Sequence, residues 1–388
     1  MRTIPYGRQD ISERDIQAVA DVLRSDWLTQ GPAVEFFEKK VAAYCGAKYA
    51  VAVNSATSAL HIAAMAADLG PGDVLWTSPN TFVASANCGR YCGADVDFVD
   101  IDSRTYNLSV EELEQKLATT ARSGGKLPKA VIPVHFTGQS CEMDQIWTLA
   151  QQYGFIVIED ASHAIGGEYQ GSKVGSCRFS DMTVFSYHPV KVITSAEGGM
   201  VLTNRDDFYQ KLLLSRSHGI TRNPAFMTEE PHGPWYYQML ELGFNYRMTD
   251  LQAALGASQM DRVDEFVRRR HSIAERYNRE LSGLPLRLPW QHPDNYSGYH
   301  LYVVCLEQDK EVKPHRQVFE ELRAAGIGVN LHYIPVHTQP YYQRLGFHWG
   351  DFPKAESYYR SAISIPMYAA LRDEDQMFVI DTIKEVLR

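Results

Sequence analysis

The feature that most constrains this chain is a series of short apolar runs separated by helical stretches. The runs are "YAVAV" (49–53), "DVLWT" (73–77), "ADVDFVD" (94–100), "AVIPVHF" (130–136), "FIVIED" (155–160), "DMTVFSYH" (181–188) and "GGMVLTN" (198–204). Each is nearly continuous in apolar residues, which fits strands covered on both faces. Between them, "ATSALHIAAMAADLG" predicts a helix ending at Gly70, and "MDQIWTLAQQYG" one closing at Gly154. Upstream, Ser12 followed by Asp15 marks a capping-box start for a first helix. Strand–helix alternation of this kind predicts an α/β domain on a mostly parallel sheet.

The texture changes near Asp250. Residues 248–281, "MTDLQAALGASQMDRVDEFVRRRHSIAERYNREL", predict one long amphipathic helix. Beyond it come a strand, "YHLYVVCL" (299–306), and a helix ending at Gly326. A second strand, "IGVNLHYIP" (327–335), and a helix from about residue 372 follow. The expected division is a large α/β domain over 1–250 and a smaller α+β domain over 251–388 that includes the connecting helix.

Composition excludes several function classes. The net charge of −9 over 388 residues gives no nucleic-acid surface. No apolar run reaches membrane-spanning length, and the polar start "MRTIPYGRQD" lacks a signal core, so the cytoplasm is the expected compartment. The six cysteines are scattered, with no Cys-x-x-Cys and no zinc spacing, so no metal is expected. Cys88 and Cys92 read as core residues.

Four pieces carry chemistry, each at a strand end or helix start, where open α/β sheets bind ligands. In "NSATSAL" (54–60), hydroxyl residues open a helix; they are a plain cap or a phosphate seat. In "IEDASHA" (158–164), Asp160 can hold a cationic ring nitrogen, with His163 three residues on, or can cap the following turn. In "PNTFVAS" (79–85), Phe82 can stack on a flat ring or pack in the core. The fourth is "MTVFSYHPVKVITSAEGG" (182–199), which places Lys191 among apolar neighbours. Desolvation favours a neutral, nucleophilic amine that forms an imine with an aldehyde; the bland reading is a lysine reaching to the surface. Glu197 and the two glycines after it read as structural, permitting a close turn.

Pyridoxal phosphate (PLP) has an aldehyde, a ring nitrogen, a ring hydroxyl, a flat face and a phosphate. The pieces together match all five, with Ser186 placed to help hold the phosphate.

The ordered series "NSATSAL", "TSPNTFVASAN", "VIEDASHAIGG", "FSDMTVFSYHPVK", "AEGGMV" and "LGFNYRMTDLQAALG" resembles the nucleotide-sugar aminotransferases of the DegT/DnrJ/EryC1/StrS family over nearly the whole chain. The resemblance implies a PLP enzyme of the aspartate aminotransferase fold (fold type I), working as a homodimer with shared active sites. It makes Lys191 the Schiff-base lysine, Asp160 the partner of the ring nitrogen and His163 the residue at the ring hydroxyl. Ala56, Thr57 and Ser186 fall on phosphate positions and Phe82 on the stacking position. Asn245 matches an asparagine that reaches the neighbouring subunit's cofactor phosphate.

The "SYHPVK" form, with "YGRQDIS", "WLTQGP" and "VNLHYIPVH", is similar to the family branch serving pseudaminic acid biosynthesis. That branch aminates C4 of a UDP-4-keto-6-deoxy-N-acetylamino sugar, with glutamate as donor. It implies substrate contacts at Tyr6, Trp27, Leu28, Thr29, Gln30, Ser55, Leu331, His332, Tyr333 and Ile334. His188 is expected to touch substrate or cofactor, or to be structural. Arg222 and Arg247 are candidates for the glutamate carboxylate. Another nucleotide 4-keto-6-deoxyhexose, a dehydratase, or a non-catalytic sugar-binding protein are the alternatives. Family dehydratases replace the Schiff-base lysine, so Lys191 weighs against that one.

Overall fold

The computed structural model describes residues 3–307, 310 and 313–388. In chain order the strands are β1 (Tyr49–Val53), β2 (Val74–Thr77), β3 (Asp95–Phe98), β4 (Ala130–Ile132) and β5 (Ile156–Asp160). A small hairpin, β6 (Glu168–Tyr169) and β7 (Ser172–Lys173), precedes β8 (Met182–Ser186) and β9 (Gly199–Thr203). Then come β10 (Ile220–Thr221), β11 (Gln238–Met239), β12 (Leu286–Arg287), β13 (Asn295–Tyr296), β14 (Tyr302–Leu306) and β15 (Ala362–Ile365). The helices are α1 (Glu13–Leu23), α2 (Pro32–Cys45), α3 (Ala56–Ala66), α4 (Ala84–Tyr91), α5 (Val110–Arg122), α6 (Met143–Tyr153) and α7 (Asp206–Arg216). They continue with α8 (Asp250–Gln259), α9 (Val263–Glu280), α10 (His315–Ala324), α11 (Pro340–Gln343), α12 (Pro353–Tyr359) and α13 (Asp373–Val386).

Seven strands form the main sheet in the order β1-β9-β8-β5-β4-β2-β3. All pairings are parallel except those of β9, which runs against both β1 and β8. Side-chain alternation explains the double burial. Val51, Val53, Val184 and Val201 pack with α3 and α7 on one face. Ala50, Ala52, Phe185, Met200 and Leu202 pack with α2, α8 and α9 on the other. Trp76, Val131 and Val157 extend that covered face over α5 and α6.

A second core gathers β14 and β15 with residues of α9, α10 and α13, and it takes in Ile4 from the other end of the chain. Ile4 donates to Gly326 O and accepts from Gly328 N, at 2.9 and 2.7 Å. α8 packs against α1 and α2, while α9 supplies Ile273, Ala274 and Tyr277 to the second core.

Several expected boundaries move, each for a physical reason. The helix expected to end at Gly70 stops at Ala66, because Asp68 takes the left-handed position (φ 54°) that glycine usually fills. The N–H groups of Asp68 and Leu69 then close a Schellman motif on Met65 O and Ala64 O. The long helix after Asp250 tightens over 260–262, where Arg262 bonds Asp10 and Asp15 and ties the break to α1. Residues 327–335 form no strand. Their backbone groups are shared between Ile4, Ser364 and the Tyr358 hydroxyl, which bonds His332 O. Lys191 lies not in a strand but in the loop between β8 and β9, closed by Tyr187 N on Gly198 O at 2.9 Å. The Ser12–Asp15 capping box and the left-handed Gly154 cap (φ 77°) form as the sequence indicates.

Candidate active site

A cavity of about 520 Å³ opens where β1, β5 and β8 end. That size suits a cofactor with part of a substrate. Its floor is built by register: Gly199, the first residue of β9, lies opposite both Val53 and Ser186. The two parallel strands therefore deliver the Ser55 turn and the Lys191 loop to one place. Ser55 caps α3, accepting from Ser58 N at 3.1 Å. Ala56 and Thr57 line the cavity at the helix start, where unpaired N–H groups and the helix dipole favour an anion.

Gly198 and Gly199 are needed for close approach, not for a special turn conformation, since neither has a positive φ. A Cβ on Gly199 would lie 2.5 Å from the Ser55 carbonyl and 2.6 Å from Ala56 N. Gly199→Ala is expected to cost about 1–3 kcal/mol of stability by overpacking and to weaken PLP retention. Urea denaturation and the PLP off-rate measure both, and wild-type values would refute this.

Lys191 is half-buried in the cavity wall. Desolvation pulls its pKa down to about 8, with Asp160 opposing that shift. Below pH 8 both folded and unfolded chains carry this charge, and the folded state bears the full burial cost. Between about 8 and the ordinary 10.5 only the unfolded chain keeps the proton, so the cofactor-free protein gains stability as pH rises. The shift corresponds to an upper figure on the order of 3 kcal/mol. Cofactor-free Lys191→Met should therefore be more stable than wild type by roughly 1–3 kcal/mol at pH 7. That gain should vanish toward pH 10.5 in paired urea titrations; a pH-independent difference would contradict it.

The β5 end carries two carboxylates, which strand alternation sends to opposite faces. Glu159 accepts from His135 Nε2 at 2.6 Å, Thr183 Oγ1 at 2.8 Å and the Ser180 hydroxyl. Burial would raise its pKa, but these bonds outweigh it and hold the group below the usual range. Asp160 faces the cavity, 5% exposed. Its Oδ2 accepts from Ser85 Oγ at 2.6 Å and its Oδ1 from Ser162 N at 3.1 Å.

His163 lies beside Tyr333, with Nε2 3.2 Å from the Tyr333 hydroxyl. Burial, then Lys191 and His332, push its pKa well below the ordinary value, so the ring is neutral. His332 is held at about 3 by burial and Lys191, and its Nδ1 pairs with Ser364 Oγ at 2.8 Å. Burial first, then Asp160, raise the Tyr333 phenol, which stays protonated.

The cavity brings together Tyr6, Ser55, Ala56, Thr57, Phe82, Asp160, His163, Ser186, His188, Lys191, Leu331, His332 and Tyr333. Trp27, Leu28, Thr29, Gln30, Ile334 and Asn245 do not line it. The 27–30 loop is exposed and anchored to the start of α8: Thr29 bridges Thr249, and Asp250 N bonds Leu28 O at 3.0 Å. Asn245 is exposed on the same ledge, bridged to Ser217. Arg247 bonds Ser217 Oγ at 2.9 Å and Arg222 is exposed; neither lines the cavity. Sequence reasoning missed Ser85, Ser162, His300 and Asn330, and it read Glu197 as structural although it lines the cavity. Ser85, inside the quoted "PNTFVAS", was legible only to a reader who knew that α4 faces β5.

The residues fit PLP. One imidazole nitrogen of His163, Nδ1, is buried with no partner among the described residues, and suits an oxygen brought by a ligand. The glycine-backed turn at Ser55 suits a phosphate, and Asp160, fixed by two donors, suits a cationic ring nitrogen.

The DegT/DnrJ/EryC1/StrS aminotransferase family profile matches residues 9–384. The chain is 40% identical to the spore coat polysaccharide biosynthesis protein SpsC of Bacillus subtilis, over 99% of this chain and 97% of that one. It is 37% identical, over the same shares, to a UDP-4-amino-4,6-dideoxy-N-acetyl-beta-L-altrosamine transaminase of Campylobacter jejuni. Among solved structures, Helicobacter pylori PseC, an aminotransferase involved in pseudoaminic acid biosynthesis, superposes with a TM-score of 0.89. Its identity is 30%, covering 100% of this chain and 99% of that one. The α/β architecture is that of fold type I PLP-dependent aminotransferases. With the family profile matching nearly end to end and the cavity suited to the cofactor, the chain belongs to the DegT/DnrJ/EryC1/StrS aminotransferase family and is a PLP-dependent sugar aminotransferase.

Proposed function

We propose that this enzyme moves the amino group of glutamate to C4 of a UDP-4-keto-6-deoxy-N-acetylamino sugar, as in pseudaminic acid biosynthesis. The observation that carries the chemistry is a desolvated Lys191 amine in the same cavity as a fixed Asp160 carboxylate. Support for the sugar comes from the similarity to the Campylobacter altrosamine transaminase and to the Helicobacter aminotransferase of pseudoaminic acid biosynthesis. Bound PLP supplies the electron sink and carries the amino group between the two substrates.

The chain's own groups do the rest. Asp160 keeps the proton on the ring nitrogen, oriented by Ser85 and Ser162. Ala56, Thr57 and Ser186 seat the phosphate at the α3 start, and His163 bonds the ring hydroxyl. Phe82 covers one face of the ring; 57% of its surface is exposed, so a flat ligand has room to stack on it. With PLP bound, Lys191 Nζ would take the proton from the donor Cα in the first half-reaction and would deliver one to the sugar C4 in the second. Tyr6, His188, Leu331, His332 and Tyr333 orient the nucleotide sugar.

The working unit in this reading is a homodimer. Trp27 and Leu28, next to Thr29 and Gln30, leave large apolar surfaces exposed, and so does Leu242, three residues before Asn245. A second copy covering those surfaces would carry these residues to its own neighbour's cavity. Light scattering that gives the mass of one chain at micromolar concentration would reject this.

The test of the reaction is product analysis with glutamate and a panel of UDP-, dTDP- and GDP-linked 4-keto-6-deoxy sugars. Nitrogen appearing at C4 of the UDP-N-acetyl sugar is the expected result. Turnover confined to another nucleotide would favour the second reading, the same chemistry on a different 4-keto-6-deoxyhexose. The 40% identity to a spore coat polysaccharide protein is what favours that alternative.

A further inference from the structure

His300 stands at the cavity wall, outside every role assigned so far. The sequence pattern places it in a strand, but β14 begins only at Tyr302, and His300 lies in the loop before it. Its ring centroid is 4.4 Å from that of His163, tilted by 51°. The Tyr333 ring lies 6.2 Å from His163 at 26°, and its hydroxyl takes Nε2. His163 is therefore in contact with both rings. The Nδ1 atoms of His163 and His300 are both buried without partners among the described residues.

The backbone around His300 is built for this contact. Tyr299 has a φ of 43°, in the left-handed region that bulky residues avoid. A Cβ on Gly138 would meet Tyr299 N at 2.7 Å and His163 O at 2.9 Å, so only glycine lets the two segments approach. Arg270 is 1% exposed and pairs with no carboxylate among the described residues. Its Nη1 lies 3.1, 3.2 and 3.0 Å from the carbonyls of Tyr299, His300 and Met367. A buried guanidinium committed to three carbonyls fixes the loop that carries His300.

We propose that His300 is a positioning residue that holds the His163 ring in one orientation against the cavity. An imidazole bonded through one nitrogen can still swing about its Cβ–Cγ bond. A second ring packed on it removes that freedom, so the remaining nitrogen keeps one direction. The charged and titratable groups facing this pair are Lys191, His332, Arg270 and Tyr333; burial and its neighbours keep His300 neutral, so the pair carries no mutual repulsion. The proposal rests on His163 serving the cofactor as described above.

His300→Ala removes the ring that packs on His163, whereas His300→Phe keeps an aromatic ring there. Three readouts decide the matter. In cofactor-free protein labelled in its histidine rings, the His163 ring signals, assigned with His163→Gln, are expected to be single and sharp in wild type and broadened by exchange between orientations in His300→Ala. In the holoenzyme, kcat is expected to fall roughly 10- to 100-fold, as misplacement of a supporting group does, with KM for glutamate within about 2-fold. The pH midpoint of the bound-PLP absorption band should move by about half a unit or more. His300→Phe, which returns a ring to pack on His163, should recover part of each. Wild-type values for all three readouts in His300→Ala, or in His300→Leu should the Ala variant fail to fold, would overturn the proposal. The ring signals are read without PLP, so they can fail separately from the assignment of the cofactor site.

Discussion

Lys191→Ala is expected to lower kcat by about 10⁴-fold or more, since one group serves as attachment point, base and acid. The fold should survive. Lys191 sits in a loop between β8 and β9 and belongs to no core cluster, and alanine removes a desolvated amine rather than a packing group. PLP should still bind through Asp160, Ser186 and the α3 start, but without a covalent link. Borohydride reduction and digestion should tag Lys191 in the wild type and no residue in the variant. A tag on another lysine, or activity within 10-fold of wild type, would remove Lys191 from the mechanism.

Asp160→Asn is expected to cost about 10³-fold in kcat while leaving the structure intact, an effect of the size seen when a fixed charge at a reacting centre is lost. The amide oxygen can still accept from Ser85 Oγ or Ser162 N, which now meet the carboxylate at 2.6 and 3.1 Å. What disappears is the negative charge that keeps the ring nitrogen protonated and the ring electron-withdrawing. Thermal denaturation should therefore shift little while steady-state rates collapse. Near-normal turnover would mean that protonation of the ring nitrogen does not limit the reaction.

Local signals were legible wherever one residue type decides the backbone. "YAVAV" forms β1 over its full length, Ser12 and Asp15 close their box, and Gly154 ends α6. Signals failed where distant partners decide. Asp68 ended α3 by a conformation that its residue type seldom takes. Residues 327–335 have strand composition, but Ile4, Ser364 and Tyr358 compete for their backbone groups. Asp160 was legible as a carboxylate ending an apolar run, but the purpose of Glu159 depended on Ser180, Thr183 and His135 meeting across strands. His300 was hidden for the same reason: its neighbours Gly138, His163 and Arg270 lie far away in sequence.

The antiparallel insertion of β9 has a practical consequence. Because Gly199 is paired on both sides, to Val53 and to Ser186, the proposed phosphate seat and the loop that bears Lys191 both hang from one ladder. Tyr333, His332 and Asn330 reach the cavity from a segment strung between Ile4 and Ser364. In the proposed reading, most of the grip on the coenzyme and most of the grip on the sugar are thus mounted on separate supports. Lesions in the later segment should yield an enzyme that stays yellow through dialysis yet binds nucleotide sugar poorly. Lesions at the ladder should bleach it.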